Sequence, residues 1–325
     1  MRYTLLISTQ DSAGLVYKIS RVLYEAGANI QRQDEYVDSE HNLFFLRTCF
    51  VVEVCNDSLD FSGGLNSKRD CHESRCDSRN DSTLPLTPSA REGEDSESVL
   101  DCKFITDIQN KLKSILPSSA QIALKKVSKK SLVILATKEN HCLGDLLLRE
   151  ESGELNAKIK AVIANRADLR DLVERFRIPF FWVDSEGISR QAHEAKLREI
   201  IDRFSPDLLA LAKYMRILSP DFVARYAGKI INIHHSFLPA FIGANPYKQA
   251  HQRGVKIIGA TAHFVTDKLD EGPIIAQDII HINHAYSWRD MQKAGRDVEK
   301  SVFAHALDLV LNDRVFVSGN KTIVF

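Results

Sequence analysis

The apolar run SLVILAT at residues 131–137 begins the alternation that decides the fold. It is long enough for a buried strand and far too short to cross a membrane. Helical patterns and further apolar runs follow it in turn, and strands that alternate with helices predict a parallel sheet with helices on both faces. Ligands bind such doubly wound sheets at the carboxyl ends of the strands. The predicted elements are helices near residues 141–149, 167–176 and 190–203 and strands AKIKAVIAN (157–165), PFFWV (179–183) and DLLALA (207–212).

A different pattern precedes this α/β region. Its elements follow the order strand, helix, strand, strand, helix, strand, which is typical of a ferredoxin-like α+β domain. We therefore expect one domain over residues 1–125, a basic linker at 126–130 and a doubly wound, mostly parallel domain over 131–325. The first domain is predicted to contain a strand at 3–8, a helix capped by Asp11 or Ser12 and ended by Gly27, two strands joined near 39–42, a helix that Pro117 stops, and a strand at 121–127.

Residues 56–101 interrupt the first domain with a stretch that is rich in Ser, Asp, Glu, Arg and Gly. So few apolar residues cannot bury enough surface to offset the entropy of ordering, and we predict a disordered insertion. Cys71, His72 and Cys76 suggest a metal site on paper, but no second pair at zinc-finger spacing completes it.

Composition excludes several classes of protein. The 325 residues contain 43 basic and 43 acidic side chains, so no net charge favours binding to nucleic acid or a membrane surface. No apolar stretch is long enough for a membrane helix, and the first residues lack the pattern of a secretory signal or transit peptide. Six cysteines in a chain of this length do not indicate a disulfide scaffold. We expect a cytoplasmic protein.

The segment INIHHSFLP at residues 231–239 places polar side chains at the end of an apolar strand. If residues 229–235 form a strand, Asn232 and His234 share one face and His235 points to the other. A second β-rich run at 255–278 carries Thr261 and His263 on one face. It also contains a loop with Asp270. An amide, an imidazole and a carboxylate together can stabilise an oxyanion and position a water molecule.

The sequence from Asn232 to Ile275 resembles the folate-dependent formyltransferase family. The family pattern Asn-x-His-x-Ser-x-Leu-Pro is present, and it is followed by a strand with Thr-x-His and a loop with Asp-x-Gly-x-Ile. LAKYMRILSP at residues 211–220 is similar to the family's folate-pocket segment, and the resemblance extends over about residues 130–325. The residues that carry the pattern are Asn232, His234, Ser236, Leu238, Pro239, Thr261, His263, Asp270, Gly272 and Ile274.

Within this family the chain resembles the hydrolytic branch. The members that transfer formyl to a phosphorylated amine have a Gly-rich loop after the first strand, whereas TKENHCLG here has its first glycine only at Gly144. The resemblance implies hydrolysis of 10-formyltetrahydrofolate to tetrahydrofolate and formate, which would supply purine synthesis and balance the one-carbon pool. Formyl transfer to an amine is the alternative. A non-enzymatic sensor on an inactive scaffold is a third possibility, but all three candidate catalytic groups are present.

The resemblance also implies roles for individual residues. Asn232 and His234 would stabilise the oxyanion, Asp270 would hold or deprotonate the attacking water, and His263 and Thr261 would support them. Backbone groups at Arg216, Leu218, Val265 and Asp267 would suit the edge of the pterin. We expect no metal and no cofactor, since folate is the substrate. The implied substrate-binding residues are Met215, Arg216, Ile217, Leu218, Val265, Thr266 and Asp267.

The first domain resembles the ACT domain, a regulatory module that binds amino acids at a dimer interface. The loop from Asp11 to Gly14 and the segment from Gly27 to Ile30 carry this resemblance, which implies effector contacts at Asp11, Gly14 and Asn29. It implies a homo-oligomer, with methionine as an activator and glycine as an inhibitor to be tested. A structural or dimerising role is the alternative.

Overall fold

The structure is a computed structural model that describes residues 1–53, 92–240 and 246–325. These residues form two compact units, Met1–Val127 and Ser128–Phe325. The predicted disorder of residues 56–91, with Cys71, His72 and Cys76, lies outside the described residues. Within the described ranges, no helix combines the length and the apolar character that a bilayer span requires.

The first unit is a four-stranded antiparallel sheet with two helices, and it has the predicted ferredoxin-like order and fits an ACT-like fold. The sheet order is β2-β3-β1-β4. Both helices pack on one face of the sheet, where their apolar stripes bury Ile19, Leu23, Ile108 and Leu112. The elements are β1 (Arg2–Gln10), α1 (Leu15–Glu25), β2 (Ala28–Asp38), β3 (Leu43–Val52), α2 (Glu92–Ile115) and β4 (Gln121–Lys126).

Two predictions for this unit are wrong. Helix α1 begins after Gly14, whose φ of 82° suits glycine, and no side chain of Asp11 or Ser12 caps it. Helix α2 begins at Glu92, so residues 92–101 are helical and not disordered. Tertiary contacts favour this longer helix, because the buried Asp101 accepts a hydrogen bond of 2.6 Å from Tyr3 and pairs with Lys126.

The second unit contains a seven-stranded sheet of order β11-β10-β9-β8-β5-β6-β7. The five strands from β9 to β7 are parallel, and β10 and β11 extend the sheet antiparallel, as a mostly parallel fold predicts. The elements are β5 (Lys130–Ala136), α3 (His141–Glu151), β6 (Ala157–Ala164), α4 (Arg170–Arg175), β7 (Phe180–Trp182), α5 (Arg190–Phe204), β8 (Leu208–Ala212), α6 (Pro220–Arg225), β9 (Ile230–His234), α7 (Pro246–Arg253), β10 (Ile257–Phe264), β11 (Ile274–His281), α8 (Trp288–Leu311), β12 (Val315–Ser318) and β13 (Lys321–Val324).

Strand β5 shows why the sheet is covered on both faces. Its residues Leu132 and Ile134 belong to a core shared with α3 and α8, whereas Val133 and Leu135 belong to a core shared with α5 and α6. Because successive side chains of a strand point to opposite faces, an unbroken apolar run needs helices on both sides.

Candidate active site

A cavity of about 600 Å³ lies in the second unit. Three stretches of chain form most of its wall: the segment after β8, the end of β9, and the loop between β10 and β11. Its volume is within the range of 300 to 1,000 Å³ that is typical of small-molecule sites. Asn232, His234, His263 and Asp270 all line it, so the structure brings these predicted residues together.

The pairing of β9 with β10 sets Asn232 directly opposite His263. The His263 ring donates from Nδ1 to the carbonyl of Phe264 at 2.9 Å, because a carbonyl can only accept. Burial lowers the pKa of His263, so its ring stays neutral and Nε2 is an acceptor. This nitrogen lies 3.3 Å from Asn232 Nδ2, which it therefore orients with the amide facing the cavity.

His234 and Asp270 form the second pair. His234 Nδ1 is 3.3 Å from Asp270 Oδ1, and His263 Nε2 is 3.8 Å from the same oxygen. His234 Nε2 is buried and has no hydrogen-bond partner among the described residues. An unpaired buried nitrogen is costly, so this atom is suited to a group that arrives with the substrate.

Asp270 reaches His234 because of the shape of its loop. The residue has a φ of 57°, in the left-handed region that few side chains adopt. Two residues later, a Cβ at Gly272 would lie 1.8 Å from the carbonyl oxygen of Phe264, so only glycine allows the loop to pack against β10 at this point. The left-handed backbone of Asp270 and the close packing at Gly272 together fix the position of the Asp270 carboxylate.

The electrostatics of the site favour an ionised Asp270. Burial opposes its ionisation, but the hydrogen bond from His234 and the electrostatic interaction with the same ring outweigh burial and lower the pKa of the carboxyl. A carboxylate that stays charged can accept a proton from water or orient it.

Thr261 does not line the cavity, but it stabilises the backbone next to the site. Its fully buried hydroxyl donates to the carbonyl of Ser236 at 2.9 Å and accepts from the N–H of Leu238 at 3.0 Å. This fixes the turn that follows β9 and, with it, the end of the strand that carries His234.

Comparisons with known proteins show the family of the chain. The formyl transferase family matches residues 130–307. A formyltetrahydrofolate deformylase from Escherichia coli K12 is 46% identical over 314 residues, which cover 97% of this chain and 95% of the relative. The chain belongs to the formyltetrahydrofolate deformylase family.

The solved structures that are similar to this deformylase-family chain include both deformylases and transformylases. The crystal structure of a formyltetrahydrofolate deformylase from Pseudomonas syringae pv. tomato matches with a TM-score of 0.81 and 35% identity, over 100% of this chain and 95% of that one. A glycinamide ribonucleotide transformylase 1 from Symbiobacterium toebii matches with a TM-score of 0.59 and 28% identity, over 62% of this chain and 96% of that one. The transformylase fold thus resembles only part of this chain.

One placement in this deformylase-family site contradicts the sequence analysis. His235 was expected on the far side of its strand, but it lines the same cavity as Asn232 and His234. Strand β9 ends at His234, so the two-residue alternation no longer applies at His235. Burial first, and then the charge of Lys213, lower the pKa of His235 to about 4, which keeps its ring neutral.

The expected folate segments lie in the cavity wall. One N–H is not available to a pterin, however, because Val265 donates it to the carbonyl of Ile230 at 2.9 Å, so only its carbonyl can serve. Asp11, Gly14 and Asn29 are in the first unit and do not line this cavity. The expected folate-binding residues that line it are Met215, Arg216, Ile217, Leu218, Val265, Thr266 and Asp267.

Sequence reasoning missed a group of polar residues in the same cavity. Lys213, Tyr247 and Glu299 line it, and His141 contacts Glu299 from helix α3. One signal was present, since Glu299 falls within the otherwise apolar stripe of α8, beside Val298 and Val302. The partners of Glu299, which are His141, Lys213 and Tyr247, are far from it in the sequence. No local sequence pattern therefore predicts these contacts.

Proposed function

We propose that this chain hydrolyses 10-formyltetrahydrofolate to tetrahydrofolate and formate. The observation that carries the proposal is the meeting of Asn232, His234 and Asp270 in one cavity that is large enough for a small-molecule ligand. Membership of the deformylase family supports it, because the relatives across the length of the chain carry that name.

The proposed binding mode follows from the walls of the cavity. The pterin docks between residues 214–218 and the Val265–Asp270 loop, which both line the cavity and whose backbone groups would suit a planar, amide-like edge. Met215 and Ile217 are exposed apolar side chains in this wall, and burying them under a ring would be favourable. The formyl group then points at Asn232 and His234.

The chemical step needs one nucleophile and one stabilised oxyanion. Asp270 orients a water molecule and accepts its proton as the oxygen attacks the formyl carbon. The Asn232 amide and the His234 ring stabilise the tetrahedral oxyanion. The bond from carbon to N10 breaks, N10 takes up one proton through Asp270 or His234, and formic acid leaves and ionises to formate. This chemistry uses no metal and no cofactor.

The wider role follows from the same reaction. We propose that the formate supplies purine synthesis in the cytoplasm, and that the first unit binds an amino-acid effector within a homo-oligomer. Methionine should raise and glycine should lower the rate of formate release. The loop at Gly14 and the strand at Asn29 are the proposed effector contacts, and substitution of Asp11 by Ala should abolish both responses.

The decisive experiment supplies 10-formyltetrahydrofolate alone, with no amine, and measures formate and tetrahydrofolate together. Hydrolysis predicts equal amounts of both products. A protein that consumes the substrate only when an amine is added would be a transferase, and the proposal would be wrong.

A further inference from the structure

A buried ionic cluster in the cavity has no role in the mechanism above. We call it the Glu299 cluster: Glu299, Lys213, His141 and Tyr247. Glu299 Oε2 is 2.8 Å from His141 Nε2 and 3.0 Å from Lys213 Nζ, and Oε1 accepts from the Tyr247 hydroxyl at 2.6 Å. Only 1% of Glu299 is exposed, so an ionised carboxylate there needs charged and hydrogen-bonding partners.

The sequence makes room for this cluster at a cost in stability. Gly295 lies one turn before Glu299 in helix α8, and a Cβ there would be 2.1 Å from the Tyr247 hydroxyl oxygen. Glycine inside a helix is destabilising relative to alanine. Lys213 has a φ of 59°, a conformation that favours glycine over any side chain. The glycine inside helix α8 and the positive φ of Lys213 both reduce stability, which indicates that the Glu299 cluster is a functional site.

The Glu299 cluster borders the reacting groups. Lys213, Tyr247 and Glu299 line the same cavity as Asn232 and His234. The rings form a continuous series, with centroids 5.2 Å apart from His234 to His235 and 6.4 Å apart from His235 to Tyr247. The cluster is therefore on the His235 side of the candidate active site.

The cluster does not suit a metal ion. His141, Cys142 and Glu299 could offer three ligand atoms, but the ammonium of Lys213 shares the Glu299 oxygen that an ion would need. Burial also raises the pKa of the Cys142 thiol, which disfavours the thiolate that metals bind.

An amine that accepts the formyl group needs a binding subsite, and the Glu299 cluster already contains the carboxylate that such a subsite requires. An amine that is to attack the formyl carbon must enter the same cavity, and a buried ammonium group needs a partner that compensates its charge, such as a carboxylate. Glu299 is that carboxylate, and the chain's own ammonium pairs with it. We propose that Lys213 is a specificity-determining residue that occupies the subsite of an amine acceptor and leaves water as the nucleophile. The proposal rests on the proposed hydrolytic function.

The corresponding change in chemistry balances without any other reactant. In the absence of Lys213, the bound ammonium first gives one proton to the Glu299 carboxylate. The resulting free amine attacks the formyl carbon, a C–N bond to the amine forms, and the bond to N10 breaks. The amine loses one proton and N10 gains one, so the products are an N-formyl amine and tetrahydrofolate, with no formate.

The test replaces Lys213 and supplies glycinamide as the amine. Lys213→Gly removes the ammonium, opens the subsite and suits the positive φ, and Lys213→Ala is a second opening variant in case the first does not fold. Lys213→Met is the matched control, because it keeps the bulk and removes the charge. Formate, N-formylglycinamide and tetrahydrofolate are quantified by mass spectrometry over a series of glycinamide concentrations.

We expect wild-type protein and Lys213→Met to release formate and no N-formylglycinamide. The opened variants should divert a share of turnover to N-formylglycinamide that rises with glycinamide and exceeds the wild-type level at least tenfold. Glycinamide should also raise the melting temperature of the opened variants only.

Three results would overturn the role of Lys213. Opened variants that fold and release formate without any N-formylglycinamide would show that the subsite is not there. Wild-type protein that formylates glycinamide would show that the lysine excludes nothing. Folded opened variants that lose all turnover would place Lys213 in the hydrolytic step itself. By contrast, wild-type protein that releases no formate in any assay would contradict the proposed function instead.

Discussion

At the scale of single residues, Asn232 depends on a neighbour for its orientation. His263 accepts from the Asn232 amide because its own Nδ1–H is held by the carbonyl of Phe264. An Asn side chain can rotate to present either its oxygen or its nitrogen, and only the nitrogen stabilises an oxyanion. His263 thus selects the useful orientation without contacting the formyl group.

Substitution of Asn232 by Ala should lower kcat by about 10² to 10³, because one lost oxyanion donor costs about 2.7–4 kcal/mol. The side chain is only half-buried, so we expect the urea midpoint to move little. Steady-state kinetics and urea unfolding check both points. A kcat within about threefold of wild type, in a folded protein, would remove Asn232 from the chemistry.

At the scale of secondary-structure elements, helix α8 has Gly295 in its interior because the ring of Tyr247 occupies the space that a side chain would need there. Tyr247 of α7 places its hydroxyl where a side chain at Gly295 would lie, and there it donates to Glu299. Helix α3 contains the contrasting case, since no atom lies within 4 Å of a Cβ built at Gly144. The two glycines therefore allow a matched comparison.

Substitution of Gly295 by Ala should destabilise the second unit by about 1–3 kcal/mol, because displacing Tyr247 leaves buried polar groups without partners. The control, Gly144→Ala, should be stabilising by up to about 1 kcal/mol, through helix propensity alone. Both tryptophans, Trp182 and Trp288, are in the second unit, so fluorescence during urea unfolding reports on it. Equal effects of the two substitutions would contradict the packing argument.

The elements also show how far sequence could predict the site. The two-residue period of β9 placed Asn232 and His234 on one face, and the family pattern supplied Asp270. The same period failed at His235, because the strand ends one residue earlier. Glu299 and Lys213 are 86 residues apart in the chain, and only the packing of α8 against the sheet brings their side chains together. Local periodicity contains no information about such a contact.

At the scale of the whole molecule, the second unit holds His235 in a partly buried position where its ring stays neutral. The pKa of His235 is lowered from 6.5 to about 4, first by burial and then by the charge of Lys213. Between these two values the unfolded chain binds a proton at this residue that the folded protein does not. Folding stability therefore rises with pH in this window and falls as the pH is lowered from 7 towards 4.

Substitution of His235 by Gln should remove this contribution. The loss of unfolding free energy between pH 7 and pH 5 should be smaller in the variant than in wild type by about 2 kcal/mol. Urea unfolding followed by tryptophan fluorescence at the two pH values measures the difference. An identical loss in both proteins would show that His235 does not carry the effect.

The central claim is that an amide, an imidazole and a carboxylate act together on one formyl carbon. The most direct test is formate release from 10-formyltetrahydrofolate by Asp270→Asn, with tetrahydrofolate binding measured by calorimetry as the control. We predict a fall in kcat of at least about 10², as expected for loss of a general base, with product affinity retained. An Asp270→Asn protein that binds tetrahydrofolate and releases formate at nearly the wild-type rate would contradict the account.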